Sequence, residues 1–109
     1  MRTLKFIVDG ERLELDPSCD FSGLFPGRNP EIQAEFIFSK DWQPRLNVAA
    51  FYSMLNQEYE PQVLGEDNTC VIPKDALAKP AFKVQILGKH RGRVFKTNTI
   101  NVYQRGGSK

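Results

Sequence analysis

The stretch of sequence that decides the fold is residues 32–38, IQAEFIF. Its apolar positions 32, 34, 36 and 38 alternate with the polar positions 33 and 35 and with an isoleucine at 37. Successive side chains of a β-strand point to opposite faces, so a period of two is typical of a strand with one buried face. The stretch therefore predicts a half-buried strand.

A β-hairpin is predicted upstream of this strand. Residues 4–8 and 11–15 are strand-like and flank Asp9-Gly10, a pair that suits a two-residue turn with positive φ. The apolar residues of the first strand then share one face of the sheet: Leu4, Phe6 and Val8.

The rest of the chain alternates between turn signals and short apolar stretches. Residues 16–30 hold three prolines and two glycines and predict a long loop, which packs on the body through Phe21, Leu24 and Phe25. Further strands are predicted at residues 46–52, 58–64, 69–72, 82–86 and 94–103. Pro61 places the second of these at a sheet edge, because proline cannot donate to a strand ladder. Residues 73–77 predict one helical turn, and residues 88–92 a hairpin loop.

Seven or eight short strands with at most one helical turn indicate an all-β domain, either a sandwich or a barrel. The 109 residues fit one domain, predicted over residues 1–105, with residues 106–109 as a flexible C-terminal tail. The predicted shared core consists of Phe6, Phe36, Phe38, Phe51, Val84 and Ile86.

Charge is distributed unevenly along the chain. All thirteen acidic residues lie at or before Asp75, so residues 1–75 carry a net charge of −6 and residues 76–109 carry +8. No apolar run approaches the ~20 residues that cross a bilayer, and the N-terminus shows no secretion signal. We therefore expect Cys19 and Cys70 to be unlinked thiols.

Residue types with catalytic potential lack the partners that catalysis needs. His90 is the only histidine and its sequence neighbours are cations and a glycine, so we interpret it as a solvated loop residue. The acidic neighbours of Cys19 disfavour a thiolate. Glu58 and Glu60 are two apart on a predicted edge strand, where acidic side chains discourage aggregation. We expect no enzyme activity, no cofactor and no metal site.

The one sharp feature is a basic stretch at residues 89–96, KHRGRVFK. Cations at a hairpin tip suit phosphate contacts, with Phe95 stacking on a base, or they suit an acidic protein surface, which we favour. Trp42 suits a sugar-stacking platform or, in our preferred interpretation, a cap on the core. The candidate interaction surface consists of Lys89, His90, Arg91, Arg93, Lys96 and Trp42.

Several segments together carry a resemblance that covers nearly the whole chain. They are residues 4–10 (LKFIVDG), 33–38 (QAEFIF) followed by Trp42, 48–52 (VAAFY), 69–73 (TCVIP) with Ala76-Leu77, 82–88 (FKVQILG) and 97–99 (TNT). In this order and spacing the chain resembles a family of small immunoglobulin-like domains in the tails and baseplates of bacteriophages and prophages of Gram-positive bacteria. These domains often form the N-terminal part of baseplate or tail-fibre proteins.

The resemblance implies an immunoglobulin-like β-sandwich with a structural role and no mapped functional residues. The expected function is a non-enzymatic assembly module of the virion tail or baseplate, assembled in the bacterial cytoplasm. Its expected partners are other tail proteins or copies of itself, with neither nucleic acid nor a membrane among them. The alternative is a free-standing module that binds an anionic polymer, nucleic acid or a cell-surface glycan, through the basic hairpin.

Overall fold

The computed structural model describes residues 2–28, 31–42, 44 and 46–104. Within these ranges it contains nine strands and one short helix. Their bounds in chain order are β1 Arg2–Asp9, β2 Arg12–Leu15, β3 Ile32–Phe38, β4 Leu46–Tyr52, β5 Gln62–Val63, β6 Thr69–Val71, α1 Lys74–Leu77, β7 Ala81–His90, β8 Arg93–Lys96 and β9 Ile100–Tyr103.

The strands form two sheets that pack as a sandwich, as predicted. Sheet A has the order β2-β1-β3-β6, and sheet B the order β5-β4-β7-β8, with β9 also paired to β7. β5 lies at an edge, as Pro61 predicted, and β4 lies between β5 and β7. β1 and β3 pair in parallel, whereas immunoglobulin sheets are described as antiparallel, so an immunoglobulin-like strand order stays a prediction.

The core lies between the sheets and is built from the alternating apolar positions of both. Phe6 and Phe36 of sheet A stack with ring centroids 5.0 Å apart, and Phe51 and Phe82 of sheet B lie 6.2 Å apart. Five of the six predicted core residues are buried: Phe6, Phe36, Phe51, Val84 and Ile86. The prediction for Phe38 is wrong, because this residue at the end of β3 is only partly buried and packs on Trp42.

Two predicted strands are shorter than expected. Residues 58–64 form only the two-residue β5, preceded by an isolated bridge between Tyr52 and Glu58. Residues 94–103 form β8 and β9 with a break between them. At the break Thr97 is buried, and its hydroxyl accepts a hydrogen bond from the Ile86 N–H at 3.0 Å. The chain thus stays tied to β7 without continuing the ladder.

The first hairpin turn differs from the prediction by one residue and the second by three residues. Asp9 pairs with Arg12, so the first turn consists of Gly10 and Glu11, with the positive φ of 62° at Gly10. β7 continues to His90, and the predicted five-residue loop shrinks to the pair Arg91-Gly92. A hairpin twists correctly when positive φ falls on turn residues, and glycine supplies it at no steric cost.

The described part of the long loop, up to residue 28, packs on sheet A. Leu24 is buried and the Phe21 ring meets the edge of Phe6 at 5.7 Å, but Phe25 is 45% exposed, against the prediction. The Asp16 and Asp20 carboxylates each accept the backbone N–H and the hydroxyl of the serine two residues on, and these bonds lower the pKa of both carboxyls. The loop is therefore held by local polar contacts as well as by burial.

A side-chain amide joins the two sheets at one edge. Asn98, between β8 and β9, accepts the Leu13 N–H through Oδ1 at 2.6 Å and donates from Nδ2 to the Leu13 carbonyl at 3.0 Å. Leu13 belongs to the edge strand β2 of sheet A. Asn98 therefore takes the place that a neighbouring strand would occupy.

Candidate interaction surface

The basic hairpin, residues 89–96, lies at the end of sheet B, where β7 turns into β8. Both turn residues have positive φ, 51° at Arg91 and 79° at Gly92, as a two-residue turn of the mirror-image type requires. Four predicted site residues are exposed: Lys89, Arg91, Arg93 and Lys96. His90 is half-buried and pairs with Arg93 across the ladder.

Strand register divides the hairpin side chains between two faces. Lys89 lies opposite Val94 on one side and opposite Leu46 of β4 on the other, so these three residues share the outer face of sheet B. Leu46 is 47% exposed and Val94 53%. The hairpin and Leu46 line a shallow cavity of about 430 Å³, and no carboxylate is among its described lining residues. The surface combines positive charge with exposed apolar area.

Trp42 lies beneath the hairpin, packed against the core as our preferred interpretation predicted. Its indole stacks on Phe38 at 5.6 Å and meets Phe95 of β8 edge-on at 6.4 Å. The ring N–H donates to Asn47 Oδ1 at 2.8 Å. The indole therefore supports the hairpin from below, and it is not part of the exposed tip formed by the cations.

Gly88 allows this close approach of the indole to sheet B. A Cβ atom at position 88 would lie 2.5 Å from Cβ of Pro44 and 2.7 Å from Cζ2 of Trp42. Such distances are far below van der Waals contact, and both neighbours are ring atoms. The last residues of β7 before the hairpin thus need glycine at this position.

The residues with catalytic potential lie apart from one another in the fold. His90 ends β7, Cys19 lies in the loop after β2, and Cys70 lies in β6. Both thiols are free, as predicted, and burial raises the pKa of Cys70 to about 12. Among the described residues no three His, Cys, Asp or Glu side chains cluster in a way that would hold a metal ion.

A groove at the opposite end of sheet B was not predicted from the sequence. It encloses about 810 Å³ and is lined by parts of residues 53–60 and 75–81. The prediction that Glu58 and Glu60 lie on a regular strand is wrong. Both residues line this groove, together with Asp75 of α1. The fold brings together two segments that are distant in the sequence. The spacing of Glu58 and Glu60 was therefore the one sequence signal that could have indicated this groove.

No protein-family model, curated protein or solved structure matches this chain. No helix in the described ranges is long and apolar enough to cross a membrane.

Proposed function

We propose that this chain is a non-enzymatic docking module that binds an acidic protein surface through the basic hairpin. The resemblance noted above supports a place in the tail or baseplate of a phage or prophage, where the partners are copies of the chain or neighbouring tail proteins. This context rests on the resemblance alone, whereas the docking role rests on the geometry of the hairpin.

The observation that carries the proposal is the composition of the exposed hairpin. Lys89, Arg91 and Arg93 project from a short turn, with exposed Val94 and Leu46 beside them. Protein interfaces combine an apolar centre with a polar rim, and complementary charges at the rim steer association. The hairpin has both components on a base that Trp42 holds in place.

The alternative partner, an anionic polymer, finds less support in the aromatic residues. Stacking on a base or a sugar needs a free ring face. Phe95 is half-buried against Trp42, and Trp42 itself is stacked on Phe38. The cations of the hairpin could still contact the phosphates of an anionic polymer, and DNA binding across a salt series tests this alternative.

Reversing the charge at the tip tests the proposal. We expect the wild type to self-associate at low salt and to dissociate as salt rises, because the screening length falls from ~30 Å at 0.01 M to ~3 Å at 1 M. The double variant Arg91→Glu/Arg93→Glu should stay monomeric throughout. Sedimentation velocity across the salt series measures both.

A matched control makes the same change of charge elsewhere. Arg12→Glu/Arg28→Glu alters two exposed residues outside the hairpin and should associate like the wild type. A wild type that is monomeric at every salt and at millimolar concentration contradicts the self-association form of the proposal. DNA binding with a steep salt slope would instead favour the anionic-polymer alternative.

A further inference from the structure

We propose that the acceptor for the basic hairpin is the groove at the far end of sheet B of a second copy of this chain. The inference rests on the proposed function and names its partner and its binding site. The chain would then associate head to tail, with one hairpin and one groove in every copy.

The groove is lined by both apolar and acidic residues. Its apolar lining residues are Met54, Leu55, Tyr59, Ala78, Pro80 and Ala81. Glu58, Glu60 and Asp75 also line it, and Lys79 is the one cation among its described lining residues. A groove that combines apolar side chains with carboxylates complements a hairpin that combines exposed apolar side chains with cations.

One side of the groove is a preformed turn that presents an apolar side chain. The Ser53 hydroxyl accepts hydrogen bonds from the N–H groups of Leu55 and Gln57, and the Ser53 N–H donates to the Gln57 carbonyl at 2.8 Å. Leu55 at the top of this turn is 91% exposed. A rigid turn that holds a leucine in solvent next to a groove suits contact with an apolar residue such as Val94 of an incoming hairpin.

The two surfaces lie at opposite ends of one strand. β7 begins at Ala81, which lines the groove, and ends at His90, where the hairpin starts. Ten residues of strand span roughly 30 Å, so the hairpin of a copy cannot reach its own groove. The contact is therefore between copies, and because it joins two different surfaces it repeats, giving a ring or an open stack.

Reversing the groove charges tests the inference separately from the hairpin. Glu58 and Glu60 are exposed, so Glu58→Lys/Glu60→Lys should leave the fold intact. We expect the dissociation constant for self-association of this variant to be at least about tenfold higher than that of the wild type at low salt, because like charges would then face each other. Glu11→Lys/Glu14→Lys makes the same change on β2 and the preceding turn of sheet A and should associate normally. Circular dichroism should give the same β-type spectrum for the wild type and all variants.

Mixing the two charge-reversed variants is the decisive measurement. Arg91→Glu/Arg93→Glu keeps a native groove, and Glu58→Lys/Glu60→Lys keeps a native hairpin. Neither should associate alone, but an equimolar mixture should form mixed oligomers that sediment faster than either component.

The outcomes separate the inference from the proposed function. If the hairpin variant is monomeric while the groove variant assembles like the wild type, hairpin docking stands and the groove assignment is overturned. Failure of the mixture to associate, or loss of assembly in the Glu11→Lys/Glu14→Lys control, also overturns the groove assignment. If the wild type does not self-associate, the groove assignment and the self-association form of the proposed function both fail. If the wild type self-associates and the hairpin variant does so equally well, the hairpin is not the docking surface and both proposals fail.

Discussion

Cys70 and Cys19 differ in how their thiols are placed. Cys70 packs against the core from β6, and burial raises its pKa to about 12, so at pH 8 roughly one thiol in ten thousand is the reactive thiolate. Cys19 lies in the loop after β2, with its sulfur 3.4 Å from the Lys5 N–H that donates to it. In the native protein we expect iodoacetamide to alkylate Cys19 and to leave Cys70 unmodified, as mass spectrometry would record.

The unfolded protein supplies the control, since both thiols should then react at similar rates. Equal rates in the native protein would contradict the burial of Cys70.

The same raised pKa of Cys70 makes folding stability decline above about pH 9, because the unfolded chain releases a thiol proton that the folded chain retains up to about pH 12. A Cys70→Ser variant should lack this part of the pH dependence.

Phe36 and Phe38 form a matched pair on one strand. Phe36 is 1% exposed and stacks on Phe6, whereas Phe38 is partly buried at the end of β3. Phe36→Ala should lower the free energy of unfolding by about 3–5 kcal/mol, the range for a buried aromatic truncation, and Phe38→Ala by clearly less. Urea denaturation measures both, and equal losses would show that the position of Phe38 outside the core has no energetic consequence.

The period-two pattern predicts which side of β3 is buried but not where burial ends. Phe36 is covered because β1 and β6 flank its strand and sheet B lies over it. Phe38 has the same parity, yet it reaches the end of the sandwich, where Trp42 covers it. The sequence could not show this, because the position of Trp42 depends on the corner that follows β3.

Among the elements, the edge strand β2 depends on Asn98 for two backbone hydrogen bonds of Leu13. Asn98→Ala removes the hydrogen-bond partners of the Leu13 N–H and carbonyl. It should lower the free energy of unfolding by about 1–3 kcal/mol, because these two backbone groups then lose their bonds in a partly buried site. Asn101→Ala is the control, since the Asn101 amide donates only to the exposed Tyr103 hydroxyl. Thermal unfolding measures both variants, and a similar small loss in each would mean that the edge does not need the amide.

Residues 94–103 were predicted as one strand because the break between β8 and β9 leaves no clear signal in the sequence. No glycine or proline interrupts residues 94–103, but Thr97 bonds to Ile86 and Asn98 turns towards the other sheet. A side chain that replaces a strand leaves no periodic signal. The β7–β8 hairpin, in contrast, was predictable because its turn depends on local glycine chemistry, although the predicted loop began three residues too early.

At the scale of the whole molecule, strand number and turn spacing were enough to predict a sandwich. The pairing of β1 with β3 was not predictable, because the two strands are parallel and separated by a hairpin strand and a long loop. Among the described residues, the charge split along the chain also does not map onto two halves of the molecule. Lys79 from the basic C-terminal part lines the same groove as Glu58 and Glu60, whereas Lys89, Arg91, Arg93 and Lys96 lie on the hairpin.

The packing of Trp42 over Gly88 restricts how this sequence can diverge. The indole contacts Phe38 of sheet A and Phe95 of sheet B, so it closes the end of the sandwich where both sheets meet. Any side chain at position 88 would overlap Pro44, whose Cβ would lie 2.5 Å from the new Cβ, as well as the indole ring. Positions 42, 44 and 88 are therefore expected to covary among homologous sequences, and the order of change is constrained, because room must be made at positions 42 and 44 before the glycine can be replaced.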